Sequence, residues 1–147
     1  MLTPAVWNHV KKLQVAVTLS GILFLVLFFA HSEQKFLPVL DHANLIFHEA
    51  GHPLFSLFGE TIGFLGGTIG QLFFPTGVSI SFWFKKEPVG FCIGTSWFFQ
   101  NFMNIARYMA DAREQSLPLL GGGVHDWTHL FSRWGVLPFD TKIARVV

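Results

Sequence analysis

His48-Glu49-Ala50-Gly51-His52 sets two imidazoles four residues apart with a carboxylate directly after the first. On a helix, positions i and i+4 share a face, so both imidazoles can reach one Zn2+ while Glu49 meets a water at that metal. This is the HExxH arrangement. The chemistry it most often serves is hydrolysis of a peptide bond, with Glu49 as general base and proton carrier. The plainer alternative is a helix carrying two histidines that satisfy each other. A catalytic zinc usually has three protein ligands and one open position, so a third ligand is needed. Asp126 is the first choice, because Gly121, Gly122 and Gly123 precede it and would let the chain fold back. His125 and His129 are the alternates. Around these, Asp41 is placed as an acceptor orienting an imidazole N–H, and Asn104, with Asn101 or Arg107, as a donor to a developing oxyanion.

The elements that must position these residues are apolar. Of 147 residues, 51% are hydrophobic and 13% charged, outside the usual range of a water-soluble domain. The expectation is an all-α membrane protein: a single integral domain over 1–147, with about four transmembrane or re-entrant segments and a polar C-terminal tail. A net charge of +1 argues against nucleic acid as a partner. The one cysteine, Cys92, allows no internal disulfide.

The segments are 13–30, 36–58, 62–84 and 89–110, followed by the tail 111–147. The first follows Lys11 and Lys12 and is too long for a typical signal core, so it reads as a retained span. The second carries Asp41, Asn44, His48 and His52 along one stripe, which membrane-depth energetics turns toward a bundle interior. Pro53 predicts either a kink at the motif or a helix end at His52. The third has no charge but is rich in glycine; Gly59, Gly63 and Gly67 recur every fourth residue. That spacing suits either close helix packing or a re-entrant hairpin. In the fourth, Gln100, Asn104, Arg107 and Asp111 line one face. The tail offers Asp126 as a helix N-cap; the alternative to a metal-ligating loop at His125 to His129 is an amphipathic interfacial helix anchored by Trp127 and Trp134. It ends on Ile143 to Val147, which reads as the start of a further apolar segment. If all four runs cross, Lys11, Lys12, Arg113, Arg133, Lys142 and Arg145 share one side, which predicts a cytoplasmic amino terminus and tail.

A membrane segment bearing His48-Glu49-Ala50-Gly51-His52, then a glycine-rich apolar stretch, a further helix and a conspicuous aspartate, resembles the site-2-protease clan of intramembrane zinc metalloproteases. The resemblance implies His48 and His52 as zinc ligands and Glu49 as base, with an aspartate from a later segment completing the site. No Asn-Pro…Leu-Asp-Gly segment is present, so Asp126 takes that place by position in the chain alone. The sequence is also similar to a group of small bacterial membrane proteins in which HEAGH is followed by Phe-Gly-Glu, Gly-Gly and Gly-Gly-Gly…His-Asp-Trp; here these are Phe58 to Glu60, Gly66 with Gly67, and Gly121 to Trp127. Together they imply a bacterial inner-membrane zinc peptidase acting on a membrane or membrane-adjacent protein. The alternative is a non-catalytic metal-binding membrane protein, a sensor or metal handler.

Overall fold

The computed structural model describes residues 6–120 and 123–147; the hinge expected at Gly121 and Gly122 lies outside them. The described residues form six α-helices and no strand. These are α1 (Lys12–His31), α2 (Pro38–Phe55), α3 (Glu60–Phe84), α4 (Pro88–Ala110), α5 (Asp126–Arg133) and α6 (Asp140–Ala144), with short 3-10 turns at Ser56–Phe58 and Leu137–Phe139. Pro38 and Pro88 open their helices, where a missing N–H costs nothing. Gly59, at φ 105°, turns the chain from α2 into α3 through a conformation that a side chain would oppose. Pro53 lies inside α2, which runs on for two more residues, so it does not end the helix at His52. The 62–84 run is one continuous helix rather than a hairpin.

α2, α3 and α4 pack in sequence, and glycine makes the first of these contacts close. A Cβ on Gly51 would collide with the carbonyl oxygen of Gly66, so the α2 and α3 backbones touch directly. Beyond that crossing, Phe47 stacks on Phe74 at 3.7 Å. α4 closes on α2 through a buried polar network. Asp41 Oδ1 accepts from Gln100 Nε2 at 2.6 Å, Asn44 Nδ2 donates to Gln100 Oε1 at 2.8 Å, and Trp97 Nε1 donates to Asn44 Oδ1 at 2.7 Å.

The interior of this bundle is inverted relative to a water-soluble core. α2 buries Asp41, Asn44, His48 and Gly51; α3 buries Gly63, Gly66, Gly67, Gly70, Gln71 and Pro75. Leu54, Phe58, Phe73, Phe84 and Phe99 face outward instead. α1 buries nothing and is the one described helix long and apolar enough to cross a membrane, with mean hydropathy 2.4. The other three long helices fall short of that hydropathy because amides, glycines and ionisable groups line their inner faces.

Among the described residues an ordinary apolar core forms only where the tail docks. Ile105 and Met109 of α4, with Ala112 just after it, pack against Trp127, Leu130 and Phe131 of α5 and Ala144 of α6. The tail is therefore a folded cap rather than a loose polar extension. Trp127, an interfacial anchor only in the alternative reading of the tail, is 4% exposed within that core.

The charge grouping expected from four full crossings does not match the contacts. Asn8 N donates to Lys86 O at 2.9 Å and Trp7 packs edge-on against Trp83, so the segment before α1 sits at the α3–α4 turn. The tail leaves from the opposite end of α4. The reason is that α2 enters beside the middle of α4, at Gln100, and does not run its full length.

Candidate metal centre

His48 and His52 leave the same face of α2 because they are one turn apart, and each ring is fixed by its second nitrogen. His52 Nδ1 donates to the carbonyl of Gly63 at 2.9 Å, and His48 Nδ1 to Gln71 Oε1 at 3.2 Å. Acceptors at Nδ1 turn both Nε2 atoms inward, and these are the atoms that would bind a metal on losing their protons. Both point at one atom: Asp126 Oδ2 lies 2.8 Å from His48 Nε2 and 3.3 Å from His52 Nε2. The three ligand atoms fall within 4.8 Å of one another. A tetrahedral zinc with bonds of about 2.0–2.1 Å sets its ligands about 3.3 Å apart, so the donor set, two imidazoles and a carboxylate, fits this ion in kind and in spacing.

Room for the His48 ring comes from Gly67, where a Cβ would collide with the imidazole. Asp126 is held from the other side. α5 docks through Trp127, Leu130 and Phe131, and the Asp126 backbone N–H donates to Tyr108 Oη at 3.2 Å. The N-cap of α5 is His125, not Asp126. Its Nδ1 accepts from Thr128 N at 3.2 Å, and Asp126 is the first helical residue. Burial pushes the His125 imidazole below its ordinary pKa, against the pull of Asp111, and so keeps that Nδ1 free to accept. Burial opposes ionisation of Asp126 too, but hydrogen bonds from His48 and His52 outweigh it and hold the carboxyl below the usual range.

Two cavities meet at this point. One, of about 450 Å³, is lined by Glu49, His52, Pro53, Glu60, Tyr108 and Asp126. The other, of about 720 Å³, is lined by His48, Glu49, Gln71, Asn104, Arg107 and Tyr108, among others. Glu49 borders both and is exposed, and its carboxylate takes part in no hydrogen bond or ion pair among the described residues.

Several expected positions fall elsewhere. Asp41 does not orient a histidine. Its carboxylate accepts from Gln100 and, at 2.6 Å, from Leu37 N, while Gln71 takes the role beside His48. His125 is committed to capping. His129 stacks on Phe64 at 3.9 Å, with its Nε2 3.7 Å from Glu60 Oε1, and lies outside the ligand group. Asn101 is buried with its Nδ2 tied to Trp97 O, whereas Asn104 and Arg107 border only the larger cavity. Gln71 and Tyr108 were not expected from sequence. A glutamine alone in a glycine-rich apolar helix was the available signal for the first; nothing local marked the second.

No known protein family, curated protein or solved structure matches this chain.

Proposed function

We propose that this chain is a zinc-dependent membrane peptidase of site-2-protease type, hydrolysing a peptide bond of a membrane or membrane-adjacent protein. The observation that carries the reading is the convergence of His48 Nε2 and His52 Nε2 on Asp126 Oδ2, with each Nδ1 already committed and an unengaged carboxylate, Glu49, beside them. The membrane setting is supported by the inverted interior. Glycines allow close helix contact where no water drives association, and ionisable groups turn inward, away from lipid.

Zinc bound at this centre would supply an acidified water and polarise the scissile carbonyl. The remaining work belongs to the protein. His48, His52 and Asp126 hold the ion, while Gln71 and the Gly63 carbonyl keep the imidazoles in the ligating tautomer. Glu49 takes the proton of the attacking water and returns it to the leaving nitrogen. The two cavities give an extended segment a path across Glu49, and Pro53, having no N–H, cannot bond the Glu49 carbonyl.

The test is a pair of variants in purified, detergent-solubilised protein. His48→Ala removes stoichiometric zinc. Glu49→Gln retains it and lowers hydrolysis of a membrane-protein substrate by about 10²–10⁴-fold. Retained activity in Glu49→Gln would leave a metal-binding protein that is not a peptidase of this kind.

A further inference from the structure

We propose that Tyr108 is a catalytic residue of this site, the donor that stabilises the oxyanion formed when water adds to the peptide carbonyl. The inference rests on the peptidase reading and names a residue that the HExxH pattern does not contain.

Three observations meet on this hydroxyl. First, Tyr108 Oη accepts the Asp126 N–H at 3.2 Å, which fixes the oxygen beside the metal ligands while leaving its own proton to donate. Among the described residues that proton has only a weak partner: Asp126 Oδ2 is 3.4 Å away, long for O–H···O, and already faces His48 and His52. Second, the ring is held rigidly, edge-on to His48 at 5.7 Å and tilted against His125 at 4.1 Å. A donor that need not reorganise is the kind that lowers a barrier. Third, Tyr108 borders both cavities, as Glu49 does. A segment spanning the two would therefore run along both the base and this hydroxyl. Asn101, Asn104 and Arg107 lack that combination.

The step balances without a further reactant. The water oxygen bonds to the carbonyl carbon, the π pair moves onto the carbonyl oxygen, and Tyr108 donates a hydrogen bond to it without giving up the proton. Glu49 takes the water proton and passes it to nitrogen as the C–N bond breaks.

Tyr108 is the only tyrosine in the chain, which permits a specific test. In Co2+-loaded protein, acetohydroxamate serves as an oxyanion probe, read by the cobalt d–d absorption. Tyr108→Phe is expected to bind Co2+ within about threefold of wild type and acetohydroxamate at least about tenfold more weakly. A parallel sample with 3-fluorotyrosine at position 108 keeps the hydroxyl and the fold. Its 19F resonance in the Zn2+ form is expected to shift when acetohydroxamate is added. Unchanged hydroxamate affinity in Tyr108→Phe, or an unmoved 19F resonance, overturns the proposal. So does a loss of Co2+ affinity as large as the loss of hydroxamate affinity, since that would make Tyr108 a support for Asp126 only. Failure of the wild-type protein to take up Co2+ would instead overturn the metal reading itself.

Discussion

The His48 ring is oriented by the group behind it. Its Nδ1 is pinned by Gln71, and loss of such a partner typically weakens a metal site by about 10–100-fold. Gln71→Leu is therefore expected to lower zinc affinity by that factor, measured by competition with a chromogenic chelator, while circular dichroism stays unchanged. This residue shows how much of the site was legible in sequence. His48, Glu49 and His52 are legible because helical periodicity alone relates them. Asp126 was reached by its place after three glycines, and the structure brings it to the two imidazoles. Gln71 and Tyr108 were not legible, because their relation to His48 exists only once α2 has paired with α3 and α4. Asp41 misled for the same reason. It shares the polar stripe of His48, yet its partners are Gln100 and the Leu37 N–H, groups that periodicity within one helix cannot reveal.

At the scale of the elements, the site depends on how closely α2 approaches α3. Gly67→Ala puts a methyl against the His48 ring, which can swing aside, so the expected result is a folded protein that has lost stoichiometric zinc. Gly51→Ala meets the Gly66 carbonyl, which is backbone and cannot move alone. Overpacking of this kind costs about 1–3 kcal/mol or more, so this variant is expected to lower the thermal midpoint in detergent as well. The helical runs themselves were legible from their apolar length, and the glycine spacing announced a tight helix contact. The cap was not legible. Trp127, Leu130 and Phe131 look like surface residues of a polar tail until α6 and the end of α4 are set against them. The cap also carries a pH dependence. Arg113 and backbone N–H groups hold the Asp140 carboxyl below its ordinary pKa, so its contribution is complete above about pH 4 and is lost as pH falls through the depressed value. Asp140→Asn is expected to lower the melting temperature at pH 7 and to flatten its further decline between pH 5 and 2, as followed by tryptophan fluorescence.

The whole molecule divides into a bundle with a glycine and polar interior and a cap with an apolar one, and the candidate metal ligands come from both sides of that boundary. Read as a membrane protein, the bundle lies in lipid and the cap at its surface, with α5 delivering Asp126 to a centre just inside. α4, of 23 residues and about 34 Å, then separates the Trp7–Lys86 contact from the tail. Single cysteines at Val6 and Val146, in a Cys92→Ser background, are accordingly expected to react with a membrane-impermeant maleimide from opposite faces of sealed vesicles. The charge count could not foresee this arrangement, since it assumed that each apolar run crosses once. The account stands or falls on whether the cap and the bundle share one ion. Zinc-edge anomalous diffraction from the purified protein tests this most directly. The predicted result is one zinc per chain bound by His48 Nε2, His52 Nε2 and Asp126 Oδ2, with Glu49 beside it and unligated. A chain without stoichiometric zinc, or a zinc that leaves Asp126 out of its ligands, would contradict it.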